Sequence, residues 1–304
     1  MAKRSIVKHG PSTLTISLPA KWVRENNLKS GSSLDVEEKG SQLIVNTKKQ
    51  DEFTRLNIDV KKNYKTGIRY INTAHRKGCD ELILTYDDPS YIKRIEQCLS
   101  EDVLGFEIVK QTKNSCVIRD IPGTKFEEFN VLLERIWVII ISISEDVLTA
   151  LKNKDKKAFD SISSLDKRVN KFTNFCIRIL NKRGHPKYKN IQIYYRFLRG
   201  LEELSDNYKY LLSYYSNEEI KVSTEFIEIL GEINDCLKMF YKSFYKPQDE
   251  DIETILNKTK DFYIRITRLS KSSKETILIS LLFSINDKLR SLVSSVVEMN
   301  ILND

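Results

Sequence analysis

Apolar side chains recur at different intervals along this chain, and the changes of interval divide it. Over residues 3–47 the interval is that of short strands. Thr13-Leu14-Thr15-Ile16-Ser17-Leu18 alternates polar and apolar, as a half-buried strand does. Ile6 and Val7 open an earlier strand. Pro19 ends the second because proline lacks the ladder donor, and Ala20 to Asn26 allow a brief helix. A turn at Lys29-Ser30-Gly31-Ser32 leads into alternation at Leu34 and Val36. Lys39-Gly40-Ser41 predicts a hairpin turn into Leu43-Ile44-Val45. So small a unit buries little core by itself, and association with a second copy is expected.

Residues 53–121 mix periods. Val60, Tyr64, Ile68 and Ile71 lie at helical intervals and predict a helix over 58–76, closed by Gly78. Leu82 to Tyr86 predicts a strand, and Ser90 is expected to cap a helix over 91–99. Phe106 to Val109 and Cys116 to Ile118 predict a strand pair. From residue 125 onward the period is helical almost throughout. Long runs cover 125–152, 155–183, 188–216, 222–246, 249–270 and 273–300, with Pro186 and Pro247 at expected turns. Six helices in two sets of three suggest an internal repeat, a pair of antiparallel three-helix bundles. The expected domains are 1–50, 51–122 and 123–304, the last holding repeats 123–217 and 221–304.

Composition narrows the class. With 40% hydrophobic and 30% charged residues, the chain can fill a core. The strongest apolar run, Ile136 to Ile143, is short, contains Ser142 and follows Glu134 and Arg135, which suits a buried helix. Met1 to Arg4 lead straight into alternating sequence, with no apolar signal-peptide core, so a cytoplasmic location is expected. Cys79, Cys98, Cys116, Cys176 and Cys236 lack any CxxC spacing and are expected as reduced, mostly buried thiols. His9, His75 and His185 lie far apart, so a metal site would rest on carboxylates.

The net charge of +8 matters less than its placement. Lys3, Arg4, Lys8, Lys21 and Arg24 fall within residues 1–24, which hold no acid. Basic residues massed without acids suit a polyanion, although a solvated basic face has the same composition. The run Arg4 to Gly10, with Ser12-Thr13-Leu14, Ser17-Leu18-Pro19, Trp22-Val23, Leu28 to Gly31 and the closing Leu34, Leu43-Ile44-Val45, resembles the SpoVT/AbrB (MazE-like) domains. That resemblance implies a small swapped-hairpin β-barrel in which two chains exchange hairpins and bind DNA as a homodimer. It makes Arg4, Lys8, Lys21 and Arg24 the candidate DNA contacts, while Trp22 is expected to pack with Val23 and Leu28.

In the helical part, Asp166 and Asn170 stand four apart, as do Glu202 and Asp206, each pair on one helical face. Clustered oxygen ligands on facing helices can share an ion, and the same spacing is common on solvated helices. The strings ALKNKDKKAFDSISSLDKRVNKFTNFCIRIL and YYRFLRGLEELSDNYKYLL resemble the PhoU helices with D-x-x-x-D and E-x-x-x-D patterns, and residues 51–122 resemble the α/β connector of archaeal PhoU-like regulators. The implied fold is multidomain α+β: an AbrB-like barrel, an α/β connector and an all-α PhoU-like pair of three-helix bundles. The implied metal candidates are Asp166, Asn170, Glu202 and Asp206, holding a divalent or ferric ion, with Asn170 where the family has Asp. In the second repeat, Lys260 and Ile264 align with Asp166 and Asn170, and Asp287 and Ser291 with Glu202 and Asp206, which confines any metal to the first.

Together these resemblances imply a DNA-binding transcriptional regulator of phosphate uptake. The alternative is a signalling adaptor that contacts a phosphate transporter ATPase or another regulator and uses the barrel only to dimerise. Arg196 and Arg199 are anion candidates on the third long helix. Catalysis is not expected: no His, Ser or Cys stands in a recognisable relation to Glu202 or Asp206, and three acids make a thin shell for a two-metal mechanism.

Overall fold

The computed structural model describes residues 4–39, 42–47, 53–60, 64–123, 128–184, 191–272 and 275–301. It forms two compact units, Met1–Phe53 and Thr54–Asp304. In the first unit, β1 (Ile6–Lys8) and β2 (Leu14–Ile16) pair antiparallel, Ile6 opposite Ile16 and Lys8 opposite Leu14. Gly10 turns the chain between them at φ +82°, a conformation that costs glycine little. The His9 N–H donates to Thr13 O at 2.7 Å.

Pro19 starts α1 (Ala20–Glu25), and the Asn26 amide donates back to Trp22 O at 2.8 Å where the helix ends. Then β3 (Leu34–Lys39) and β4 (Gln42–Thr47) pair antiparallel, Val36 opposite Val45 and Lys39 opposite Gln42. The predicted turn residues Gly40 and Ser41 lie outside the described residues. No residue of this unit whose side chain is described is buried. Ile6, Val7, Leu14, Ile16, Val36 and Leu43 are each more than half exposed, Leu14 and Ile6 at 67%.

The second unit opens with a four-stranded sheet. β5 (Arg55–Asp59), β6 (Glu81–Thr85), β7 (Phe106–Gln111) and β8 (Ser115–Asp120) lie in the order β5-β6-β8-β7. The first pair is parallel and the others antiparallel, with an irregularity between Ile108 and Lys110. The helices α2 (Tyr64–Arg76) and α3 (Tyr91–Glu101) help close a core of Ile71, Leu82, Leu84, Ile95, Phe106 and Ile118.

Two expectations are corrected here. The helix predicted from Ile58 begins at Tyr64, and Arg55–Asp59 is a strand, because Leu56 and Ile58 alternate with Asn57 and Asp59 and pair with β6. Ser90 makes no side-chain cap for α3; its backbone N–H and hydroxyl instead donate to Asp88, at 2.8 and 2.7 Å.

Six long helices follow: α4 (Glu128–Asn153), α5 (Phe159–Arg183), α6 (Ile191–Asn217), α7 (Thr224–Tyr245), α8 (Asp249–Ser272) and α9 (Thr276–Ile301). Asp155 accepts from the Lys157 N–H at 2.9 Å and caps a 3-10 turn, Lys156–Ala158, so α5 starts four residues after the predicted boundary. Pro186 lies outside the described residues. Ser223 caps α7, its hydroxyl accepting from the Phe226 N–H at 3.4 Å. Trp137 is fully buried against Phe197, Phe240, Tyr241 and Phe244. All five cysteines are free and buried.

Burial repeats along the two halves. Ile162, Asp166, Val169 and Thr173 of α5 have the spacing of Ile255, Thr259, Phe262 and Ile266 of α8. Leu201, Leu204, Ser205, Tyr208 and Leu211 of α6 have that of Leu282, Ile285, Asn286, Leu289 and Leu292 of α9. Thr259, not Lys260, therefore takes the place of Asp166, and Asp287 takes that of Asp206 rather than Glu202. The inter-helix hydrogen bonds agree, since Asn286 donates to Thr259 O where Ser205 donates to Asp166.

The sheet layer and the helices share one contact surface along α5. Arg178, wholly buried, donates to Asp120 Oδ2 at 2.7 Å and to His75 O at 2.9 Å, over the Phe106 ring. Asn174 donates to Asp102 O at 3.0 Å and accepts from Arg76, Asn181 donates to Arg76 O, and Lys182 pairs with Asp80. His75 sits between Phe106 and Phe175, and its Nε2 lies 2.9 Å from Leu104 O. A carbonyl only accepts, so Nε2 carries a proton. Burial and then the Arg178 charge push its pKa down to about 3.

Candidate functional site

Two sets of side chains are candidates, one in each unit. In the first unit, Lys8 ends β1, while Lys21 and Arg24 lie on α1, the latter in its last turn. Arg4 precedes β1, and all four cations are exposed. Lys21 stands 3.8 Å from Glu25, both largely in solvent, a contact worth little. Trp22, Val23 and Leu28 are each half-buried, and the Leu28 N–H donates to Val23 O. Exposed Lys and Arg side chains of this kind can meet a phosphate backbone, whose affinity comes from such contacts.

In the second unit, Asp166 projects from α5 and is 1% exposed. Such a carboxylate needs partners, and α6 supplies both. The Ser205 hydroxyl donates to Asp166 Oδ1 at 2.7 Å, and Lys209 Nζ donates to Asp166 Oδ2 at 2.5 Å. The same ammonium is bonded to Asp206 Oδ1. Burial alone would lower the lysine pKa; the hydrogen bonds to Asp166 and Asp206 outweigh it and hold the group above its ordinary value.

Glu202 pairs with Arg199, one turn earlier on the same helix. Asn170 Oδ1 is buried with no hydrogen-bond partner. Arg196, the other anion candidate, donates to Glu298 on α9 at 2.6 Å.

This donor set does not fit a metal ion. Asp166 and Asp206 already share a cation, and Glu202 is engaged by a second. Among the described residues no group of three or more His, Cys, Asp or Glu could hold a metal. Sequence reasoning finds the acids and misses Lys209. The signal is there in the three-residue step from Asp206 and the four-residue step from Ser205, which put all three on one face of α6. In the second half, Thr259 stands for Asp166, Asp287 for Asp206 and Arg290 for Lys209. There, Thr259, Tyr263, Phe283, Asp287 and Arg290 help line a cavity of about 430 Å³.

Two antiparallel hairpins with a short helix between them in the chain, and exposed cations along them, make up this small β unit. The family model described as "antidote-toxin recognition MazE, bacterial antitoxin" matches residues 7–53. The chain thus carries an N-terminal MazE/AbrB-type domain, followed by a mixed α/β segment and a large helical region. Neither a curated protein nor a solved structure matches it. Among the described residues no helix is long and apolar enough to cross a membrane.

Proposed function

We propose that this protein is a DNA-binding transcriptional regulator of phosphate uptake. Its MazE/AbrB-type domain binds DNA as a homodimer, and its PhoU-like helical region senses or relays phosphate status. The observation that carries the reading is the match over residues 7–53, whose flanking and internal cations, Arg4, Lys8, Lys21 and Arg24, are exposed. The exposed apolar strand residues support the dimer, because a second copy with exchanged hairpins would cover them. The phosphate assignment rests on the likeness of the α5 and α6 sequences to PhoU helices. In this reading the protein acts by binding, not by catalysis.

The test is a salt series of binding to DNA upstream of its own gene and of neighbouring transport genes. A regulator binds particular fragments at nanomolar to sub-micromolar concentration, with a log-log salt slope of about −0.9 per phosphate contacted. Arg4→Ala with Lys8→Ala should weaken binding to every fragment and flatten the slope by about two. Equal, weak binding to every fragment would make the domain a dimerisation device. It would favour the adaptor reading, with a transporter ATPase or another regulator as partner.

A further inference from the structure

We propose that Lys209 is a built-in cation that takes the place of a metal ion in the first helical repeat, so that the Asp166–Asp206 site is permanently filled by the chain's own ammonium. The inference does not depend on the DNA-binding reading. Three observations carry it, and each concerns α5 and α6.

The first is position. Lys209 Nζ is bonded to one oxygen of a buried carboxylate on the neighbouring helix and to one of a half-buried carboxylate on its own. A metal bound between the same oxygens would lie about 2.0–2.6 Å from each. That volume is the one the ammonium occupies, so the two cations exclude each other sterically and by charge.

The second is tethering. Lys209 reaches the site from the helix that carries Asp206, one turn away, and its side chain is mostly buried. A cation on the same chain competes at an effective concentration in or above the millimolar range, against which free transition metals are dilute. Ser205 satisfies the second oxygen of Asp166. Displacing the lysine would leave its charge half-buried with no equivalent acceptor, so the exchange is opposed from both sides.

The third is the contrast with the other half. Where Thr259 replaces the buried acid, Arg290 in the place of Lys209 is exposed and the space between α8 and α9 stays open. The inward reach of the cation goes with the buried carboxylate.

The test uses the full-length protein, with Mn2+ as the probe. Wild-type protein should show the same melting temperature in EDTA and in millimolar Mn2+, and no Mn2+ binding sensitive to Asp166→Asn. Lys209→Ala should melt roughly 6–15 °C lower and recover part of that loss in Mn2+, as the ion enters the vacated site. Should Lys209→Ala fail to fold, Lys209→Met should melt higher in millimolar Mn2+ than in EDTA, a gain that adding Asp166→Asn abolishes. Mn2+ binding to wild type that Asp166→Asn abolishes would overturn the proposal. So would a Lys209→Ala protein as stable as wild type. A destabilised Lys209→Ala indifferent to Mn2+ would reduce the triad to an ordinary ion pair and overturn the proposal as well.

Discussion

The two units solve the same problem, what to do with apolar side chains, in opposite ways. The helical unit turns Trp137, Ile140, Phe197, Leu201 and Phe240 inward until none is accessible. The N-terminal unit leaves Ile6, Leu14, Val36 and Leu43 facing outward and buries no residue whose side chain is described. Length explains the difference. Helices of 22 to 27 residues present apolar stripes long enough to cover one another within one chain. Strands of three to six residues cover little of one another, and in the proposed dimer a second copy supplies the missing layer. The stability of the first unit should therefore depend on protein concentration, and that of the second should not.

The sharpest way to break the contrast is at Arg178. Arg178→Met leaves Asp120 buried beside an apolar chain, and the second unit should lose about 3–5 kcal/mol. Urea unfolding followed by helical circular dichroism measures it. Sedimentation under native conditions should still report the proposed dimer unchanged.

Next in size is the converse experiment. Leu14→Asp places a charge on each facing surface and removes burial worth about 2 kcal/mol per copy, so the dimer constant should weaken at least about a hundredfold. The helical unfolding transition should stay where it was. A dimer of undiminished affinity would show that the exposed strand residues are not its interface.

A third effect acts on the second unit through pH. His75 has its pKa lowered to about 3, against about 6.5 when unfolded, so below 6.5 the unfolded chain takes up a proton that the native ring refuses. The contribution is fully present above pH 6.5 and lost as pH falls, reaching about 2 kcal/mol at pH 5. His75→Gln, whose amide can still donate toward Leu104, should flatten that slope.

Much of this architecture is legible in the sequence, and the failures share a cause. Period predicts the long helices, because the stripe that directs packing is written locally at Ile136, Ile140 and Ile143 or at Leu201, Leu204 and Tyr208. β5 escapes because five residues carry too little alternation until β6 lies beside them. Arg178 has no local mark at all, since its partner Asp120 is 58 residues away. At the carboxylate site the acids stand out by spacing. Their pairing with Lys209 needs the facing of α5 and α6, which no single helix encodes.

One consequence concerns the tolerance of α5 to length change. Asp166 holds to α6 at one point, while Asn174, Arg178 and Lys182 hold to the sheet layer farther along the same rod. A single residue inserted between Asp166 and Asn174 would turn one set against the other by about 100°. No side-chain adjustment absorbs such a rotation. Along this stretch, descendants of the gene can exchange residues on the outer face of the helix, but a change in the number of residues would cost them one anchorage or the other.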